Sequence, residues 1–292
     1  MGSRVNLEID KKKKNLDMTF VFTYNYSWIR DKLLMSEIIV QNFDEYLKML
    51  YRDSNFRFRD NQREGYLMML EVESLASAVK YSEDLAAISM GFGKSRFKLT
   101  ETLRNYRPGE TKGFYDKIVT ADYVYLKNIL GYPEFTSIDP EKRESIFESI
   151  EQARDFYKQI GMFYKKNNDD LYNCYKHGLR VMSTCTDDKD KPWMLLKFPS
   201  FKDGEFTLEG FEKTEVEKEY AEALKTVGLI FTLMNITFQN HRTLYLTKKK
   251  KVSFYFLPLK NRKRFSAHGQ LNLSRNRIQT QQLKLESTAR NG

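Results

Sequence analysis

Cysteine, histidine, glycine and proline are all scarce in this chain, and each scarcity excludes a class of protein. Two cysteines among 292 residues exclude a disulfide scaffold and a zinc site built from four cysteines. The three histidines, His177, His241 and His268, are too scattered for a histidine-rich metal site. With only 14 glycines and 6 prolines, the chain is not collagen-like. We therefore expect neither a metal nor a cofactor.

Acidic residues are scarce only at the two ends of the chain, where the positive charge collects. Residues 241–292 contain 13 Lys and Arg against one acid, and residues 1–34 contain seven against four. The stretch between them has 29 bases and 34 acids, so it is mildly acidic. Basic runs bind nucleic acid by neutralising phosphates and releasing counterions. RNA is therefore a candidate partner, through the ends of the chain.

Long apolar runs are also missing. The most apolar helical run, Val227–Phe238, has about half the length that a membrane span requires. The apolar stretch Met18–Trp28 is followed by no small-residue cleavage site. The sequence therefore predicts a cytoplasmic protein that has no membrane partner.

Helical periodicity is what the sequence has in abundance, since apolar residues recur at three-and-four spacing through its middle. Gly91 and Gly93 are predicted to stop one helix. Asp139-Pro140 starts another, because an N-cap residue precedes proline at the first helical position. Asp169 is predicted to cap a helix that reaches about Ser183. The patterns predict a bundle of about six helices, over about 36–53, 62–90, 110–130, 139–166, 169–183 and 214–240, with a shorter helix over 97–105.

One segment departs from the helical pattern. Trp193–Phe198 and Glu205–Phe211 are short apolar runs on either side of the turn signature Lys202-Asp203-Gly204, which predicts a small β-hairpin. Thr214 and Glu217 then form a capping-box pair that opens the last core helix. The predicted fold class is therefore mainly α, a helical bundle with one small β-hairpin before the last core helix.

The ends of the chain differ from its middle in composition. Residues 241–292 include a lysine run and an irregular basic tail rich in Arg, Gln, Ser and Asn, which cannot offset the entropy of ordering. Residues 1–34 contain an aromatic patch without a clean period. We therefore predict a helical domain over 35–240, a poorly integrated extension over 1–34 and a basic, disordered tail over 241–292.

One predicted helix carries the candidate catalytic and substrate-binding residues. On a helix, Asn173, Lys176, His177 and Arg180 stand at i, i+3, i+4 and i+7 and share one face. An amide, an ammonium, an imidazole and a guanidinium are the groups that a phosphodiester substrate requires. The structural alternative is that His177 and Asn173 satisfy polar groups between helices, while Lys176 and Arg180 reach water.

Other catalytic signatures are missing from the sequence. It contains no Gly-x-Ser-x-Gly elbow and no His-Glu-x-x-His helix. Glu71 and Glu73 stand at alternate positions on a predicted helix, so their side chains point apart. We expect both on charged, exposed faces.

The segment Tyr-x-x-Tyr-Lys-His-Gly-x-Arg at 172–180, which follows a helix with Phe156-Tyr157, resembles the HEPN-like helical proteins of bacteria and archaea. The resemblance implies a helical bundle over roughly 36–240, and many members of that superfamily are ribonucleases of prokaryotic defence or toxin–antitoxin systems. Catalytic members carry arginine, four to six residues and then histidine. The eligible positions before His177 are 170 to 172, and none is arginine. Arg180 lies one helical turn after His177.

These observations leave three functions open. The missing arginine favours a non-catalytic interaction or regulatory module, which binds a protein partner or associates with itself. The alternative is a metal-independent ribonuclease, with His177 as general acid or base and Arg180, Lys176 and Asn173 contacting phosphate. The third is non-specific nucleic-acid binding through the basic tails.

Overall fold

The structure is a computed structural model that describes residues 2–52, 60–94, 98–133, 140–168, 172–176, 181–185, 193–197, 209–246 and 254–257. The chain is mainly α, a helical bundle with a small β element, as the sequence predicted. In chain order, its described helices are α1 (Gly2–Thr23), α2 (Ser27–Gln41), α3 (Phe43–Leu50), α4 (Asp60–Lys94), α5 (Leu99–Asn105), α6 (Glu110–Ile118), α7 (Tyr123–Leu130), α8 (Pro140–Asn167), α9 (Asn173–Lys176) and α10 (Lys213–Leu246).

The β element of the described residues is a three-stranded antiparallel sheet in the order β1 (Val181–Cys185), β2 (Trp193–Lys197) and β3 (Glu209–Glu212). The predicted hairpin is confirmed, because β2 pairs with β3 and Met194 stands opposite Glu212. Its predicted turn lies outside the described residues. The predicted helix over 169–183 is wrong. The helix α9 ends at Lys176, and β1 follows because its Val and Thr residues suit a strand that β2 can pair with.

Two predicted helices are each divided in the structure. The segment 36–53 belongs to α2, which begins at Ser27, and to α3. The segment 110–130 is divided into α6 and α7, because the Asp122 side chain accepts a hydrogen bond from the Tyr125 N–H and caps α7. The glycine stop is also wrong, since α4 continues to Lys94. Gly93 serves a close approach instead, because a Cβ there would lie 2.4 Å from the Tyr125 ring.

Contacts along the chain define two compact units, which we describe separately. Unit 1 comprises Met1–Tyr26, Glu83–Gly161 and Leu229–Gly292, and unit 2 comprises Ser27–Ser82 and Met162–Gly228. Three of the boundaries fall within α4, α8 and α10, and the fourth falls between Tyr26 and Ser27, where α2 begins. They do not coincide with the boundaries at 35 and 240 that composition predicted.

The core of unit 1 is built from aromatic and branched side chains. Phe238 of α10 is fully buried, and its ring centre lies 5.3 Å from that of Tyr24, 5.2 Å from that of Tyr26 and 6.0 Å from that of Phe92. Other side chains that are at most 2% exposed come from α4, α6, α7, α8 and α10, among them Leu85, Tyr115, Ile118, Leu126, Ile129, Ile146, Ile150, Tyr157, Ile230 and Leu233.

The N-terminal segment contributes directly to this core, contrary to the poorly integrated extension that we predicted for 1–34. Val21 and Asp17 are fully buried, and Tyr26 is almost so. The Asp17 carboxylate accepts hydrogen bonds from the backbone N–H groups of Leu99 and Thr100, at 3.1 and 2.8 Å. Those groups begin α5, so α1 supplies the cap that Lys98, at the N-cap position, does not provide.

The predicted disordered tail also begins too early at residue 241. The helix α10 continues to Leu246, and Phe254 and Leu257 are at most 2% exposed. These apolar residues bury enough surface to order their segment. The prediction missed them because it used the polar composition of 241–292 as a whole. The run Lys248–Lys251 and the stretch after residue 257 lie outside the described residues.

The core of unit 2 joins α2, α3, α4, α8, β2 and α10. Its buried apolar side chains include Ile29, Leu33, Phe43, Met68, Val72, Leu75, Val79, Phe163, Tyr164, Leu195, Val216, Ala223 and Val227. Ion pairs border this core. Lys213 of α10 bonds to Glu64 of α4, and Lys166 of α8 lies 3.3 Å from Glu222 of α10.

Candidate functional site

The segment 172–176 is what the structure describes of the predicted catalytic face. Asn173 and Lys176 are the first and last residues of the four-residue helix α9, whereas His177 and Arg180 lie outside the described residues. Lys176 is exposed, and its Nζ lies 5.8 Å from the centre of the Tyr172 ring. Tyr172 and Cys174 are buried in unit 2. This part of the segment therefore contributes to the core of unit 2 and presents an ammonium to solvent.

Metal chemistry has no ligand set within the described part of the chain. There, no group of three or more His, Cys, Asp or Glu side chains has a geometry that could hold a metal ion.

A buried carboxylate in unit 2 is a site that the sequence reasoning missed. Glu71 of α4 is only 8% exposed, and no side chain or backbone group in the described residues forms a hydrogen bond with it. Its pKa is raised to about 7, first by burial and then by the charge of Glu217, while Lys213 opposes the shift. The expectation that Glu71 lies on an exposed face is therefore wrong, because the alternate spacing of Glu71 and Glu73 does not say which of them faces α10.

The surroundings of Glu71 are polar but offer no catalytic pair. On α10, Lys213, Glu217 and Tyr220 stand at i, i+4 and i+7, so they share one face. The Tyr220 hydroxyl is buried and has no hydrogen-bond partner among the described residues, and burial together with nearby carboxylates raises its pKa. Glu64 bonds to Lys213, which lowers the pKa of that carboxyl. This cluster can take up a proton near neutral pH, but no nucleophile accompanies it among the described side chains.

A set of exposed large apolar side chains on α2 and α3 is the other unusual feature of unit 2. It consists of five large side chains that are between 50% and 79% exposed, namely Trp28, Met35, Ile38, Met49 and Leu50. We call it the α2–α3 face. The first three share one side of α2, since they stand at i, i+7 and i+10. The opposite side of α2 carries Ile29 and Leu33, which are buried.

Charged residues of both signs lie on the same two helices as the α2–α3 face. Arg30 and Asp31 form an ion pair on α2, with an N–O distance of 2.7 Å. Asp31 stands at i+3 from Trp28, so it shares that side of α2 with the apolar stripe. Glu45 and Lys48 form another ion pair on α3, also at 2.7 Å, and both side chains are largely exposed. The two helices therefore carry both signs of charge beside the apolar side chains.

Comparisons of the chain with protein-family models, with curated proteins and with solved structures give no match. By length and composition, α10 is apolar enough to cross a membrane, which the shorter run seen in the sequence did not indicate. However, 56% of its most apolar window is buried within the protein, and a core helix passes the same test.

Proposed function

We propose that this chain is a non-catalytic interaction module with a HEPN-like helical fold, and that it associates with a second copy of itself through the α2–α3 face. The observation that carries the proposal is the exposure of five large apolar side chains on two consecutive helices. Monomeric soluble proteins rarely leave such a group of side chains in water, and exposed apolar patches mark interaction surfaces. The HEPN-like part of the proposal comes from the motif at 172–180, and it requires the mainly α architecture that the chain has.

A second copy is the partner that the face suits best. Trp28, Met35 and Ile38 repeat at helical spacing, so the same stripe on another α2 can pack against them. In a two-fold interface the two copies use the same surface. If one residue of the first copy contacts a second residue of the other copy, the reverse contact is also made. Because α2 and α3 carry both signs of charge, a second copy offers each charge an opposite one, whereas a partner of one sign would meet repulsion from half of these charges.

The α2–α3 face predicts a concentration-dependent dimer. Substituting Met35→Glu should weaken dimerisation about 100-fold, because each dimer would bury two carboxylates in place of two apolar side chains. Sedimentation velocity over a range of concentrations measures this effect. Met162→Glu is the matched control, since Met162 is 64% exposed but lies on α8, which is not part of the α2–α3 face. A wild-type chain that stays monomeric, or an equal effect of both substitutions, would contradict the proposal.

The ribonuclease alternative depends on His177 and Arg180. If the chain is a non-catalytic module, the purified protein should leave total RNA intact with and without EDTA, and His177→Ala should change nothing in that assay. Gel electrophoresis of the RNA after incubation provides the measurement. Cleavage that disappears in both His177→Ala and Arg180→Ala, with an unchanged melting temperature, would make the ribonuclease the better proposal. RNA retention that falls steeply with salt would indicate binding through the basic tails.

A further inference from the structure

The segment Phe254–Leu257 is held in unit 1 by side chains in the way that a peptide ligand is held. The Asn240 amide bonds to both main-chain groups of Tyr255: its Oδ1 accepts from the N–H at 2.8 Å, and its Nδ2 donates to the carbonyl at 3.1 Å. The Ser149 Oγ accepts from the Leu257 N–H at 3.0 Å. The bonded groups belong to residues i and i+2, which point to the same side of an extended segment. One edge of the segment is therefore bonded by side chains rather than by a neighbouring strand.

These contacts belong to one continuous hydrogen-bond network. The Tyr132 hydroxyl donates to the Tyr255 carbonyl at 3.1 Å and lies 2.6 Å from the Ser149 Oγ. Since Tyr132 uses its proton on that carbonyl, Ser149 donates to Tyr132 while it accepts from Leu257. Tyr132 is fully buried, which raises its pKa and keeps the donating proton in place. In this network each donor therefore has an acceptor.

The side chains that hold the segment are positioned by contacts that do not involve it. Asn240 Nδ2 also donates to the Leu130 carbonyl at 3.0 Å. Its neighbour His241 stacks on Phe92, with ring centres 3.7 Å apart, and its Nε2 lies 3.1 Å from the Ile129 carbonyl. Gly131 has a φ of 69°, and a Cβ there would lie 3.0 Å from Asn240 Cβ, so glycine permits the approach. The site is therefore built into α7, α8 and α10.

The side chains of the segment are recognised as well. Phe254, Phe256 and Leu257 are at most 9% exposed, and the Phe256 ring stacks on Tyr132 with centres 5.6 Å apart. Main-chain hydrogen bonds supply affinity and pockets supply specificity in the known modes by which proteins bind extended peptides. A site of this kind accepts a segment with aromatic side chains and free main-chain groups.

We infer that Tyr132, Ser149 and Asn240 form a binding site for an extended aromatic peptide, which the chain's own Phe254–Leu257 occupies. An equivalent peptide from another molecule competes with that segment for the site. The inference is independent of the α2–α3 face, because it rests on contacts within unit 1.

The test uses the full-length chain with a protease recognition sequence inserted within residues 247–253, so that cutting makes the segment a separate molecule. After cutting, the C-terminal fragment should co-elute with the remainder at micromolar concentration. An excess of the acetylated, amidated peptide of residues 252–258 should release the fragment while the melting temperature is preserved. The matched control is the same peptide N-methylated at Tyr255, in which a methyl group replaces the hydrogen that Tyr255 donates to Asn240 Oδ1. It should compete at least about tenfold more weakly.

Three results of the competition experiment would overturn the inference. One is equal competition by the two peptides, because it would show that the hydrogen bond from the Tyr255 N–H to Asn240 does not contribute to binding. Another is a fragment that no excess of peptide releases, and the third is loss of the helical circular-dichroism signal at saturating peptide. In the full-length, uncut chain, Phe254→Ser with Phe256→Ser provides a second measurement. This variant should bind a fluorescent form of the 252–258 peptide at least about tenfold more tightly than the wild type, and failure to bind it would also overturn the inference.

Discussion

A chain shortened to residues 35–240 should lose its cooperative thermal transition. The shortening removes Val21, Phe254 and Leu257 from the core of unit 1 and Ile29 and Leu33 from the core of unit 2, and all five are at most 5% exposed. Burial of each such side chain contributes about 2 kcal/mol. A domain has only about 5–15 kcal/mol of net stability. Circular dichroism during heating measures the transition, and a cooperative melt near the wild-type temperature would contradict the expectation.

A single substitution tests the N-terminal part of this prediction without shortening the chain. Asp17→Ala leaves the buried N–H groups of Leu99 and Thr100 without their acceptor, so the free energy of unfolding should fall by about 3 kcal/mol. Urea denaturation measures the change. Glu148→Ala is the control, because it removes an exposed carboxylate from α8, also in unit 1. Equal stability of the Asp17→Ala and Glu148→Ala variants would show that α1 is not needed to cap α5.

The second large effect is a dependence of stability on pH that arises from Glu71, and Glu71→Gln should remove this dependence. The pKa of Glu71 is about 7 in the folded chain and near 4.5 when the residue is in water. Between these values the folded chain keeps a proton that the unfolded chain releases. The contribution of Glu71 to stability therefore falls as the pH rises from about 4.5 to 7, and above that range the buried charge costs about 3 kcal/mol.

Glu71→Gln should therefore stabilise the fold by about 1–2 kcal/mol at pH 8 and give no gain at pH 5. The gain is smaller than the cost of the charge, because the amide is also buried without a hydrogen bond. Urea denaturation at several pH values provides the measurement. Glu73→Gln is the matched control, since Glu73 is two residues away, half-exposed and 3.6 Å from Lys32. Parallel pH profiles for the wild type and Glu71→Gln would refute this account of Glu71.

The long helices show how much of the fold was predictable from local pattern. The helices predicted over 62–90 and 139–166 correspond to α4 and α8, and the start of α8 is the proline that follows Asp139. The missed division between α6 and α7 was also readable, since Asp122 precedes a helix and caps it. The strand β1 was not, because it depends on pairing with β2. Local signals act over a few residues, so they locate helix ends but not strand partners.

The candidate sites were less accessible from the sequence. Composition assigned residues 1–34 and 241–292 to poorly ordered ends, although both contribute buried residues to unit 1. The average composition of the 52 residues 241–292 is polar, and it does not reveal the four apolar residues 254–257 that pack in unit 1. The α2–α3 face was equally hidden, because an apolar residue at helical spacing looks the same whether it is buried or exposed.

By itself, the sequence determined the mainly α class, the long helices and the hairpin, because periodicity, caps and turn residues act locally. Only the tertiary structure decided that Asp17 caps a helix 83 residues away, that Glu71 is buried, and that Asn240 holds the backbone of Tyr255. Each of these roles depends on burial and on a partner from another segment. The energy of a charge or a hydrogen bond is set by those surroundings, which the local sequence does not contain.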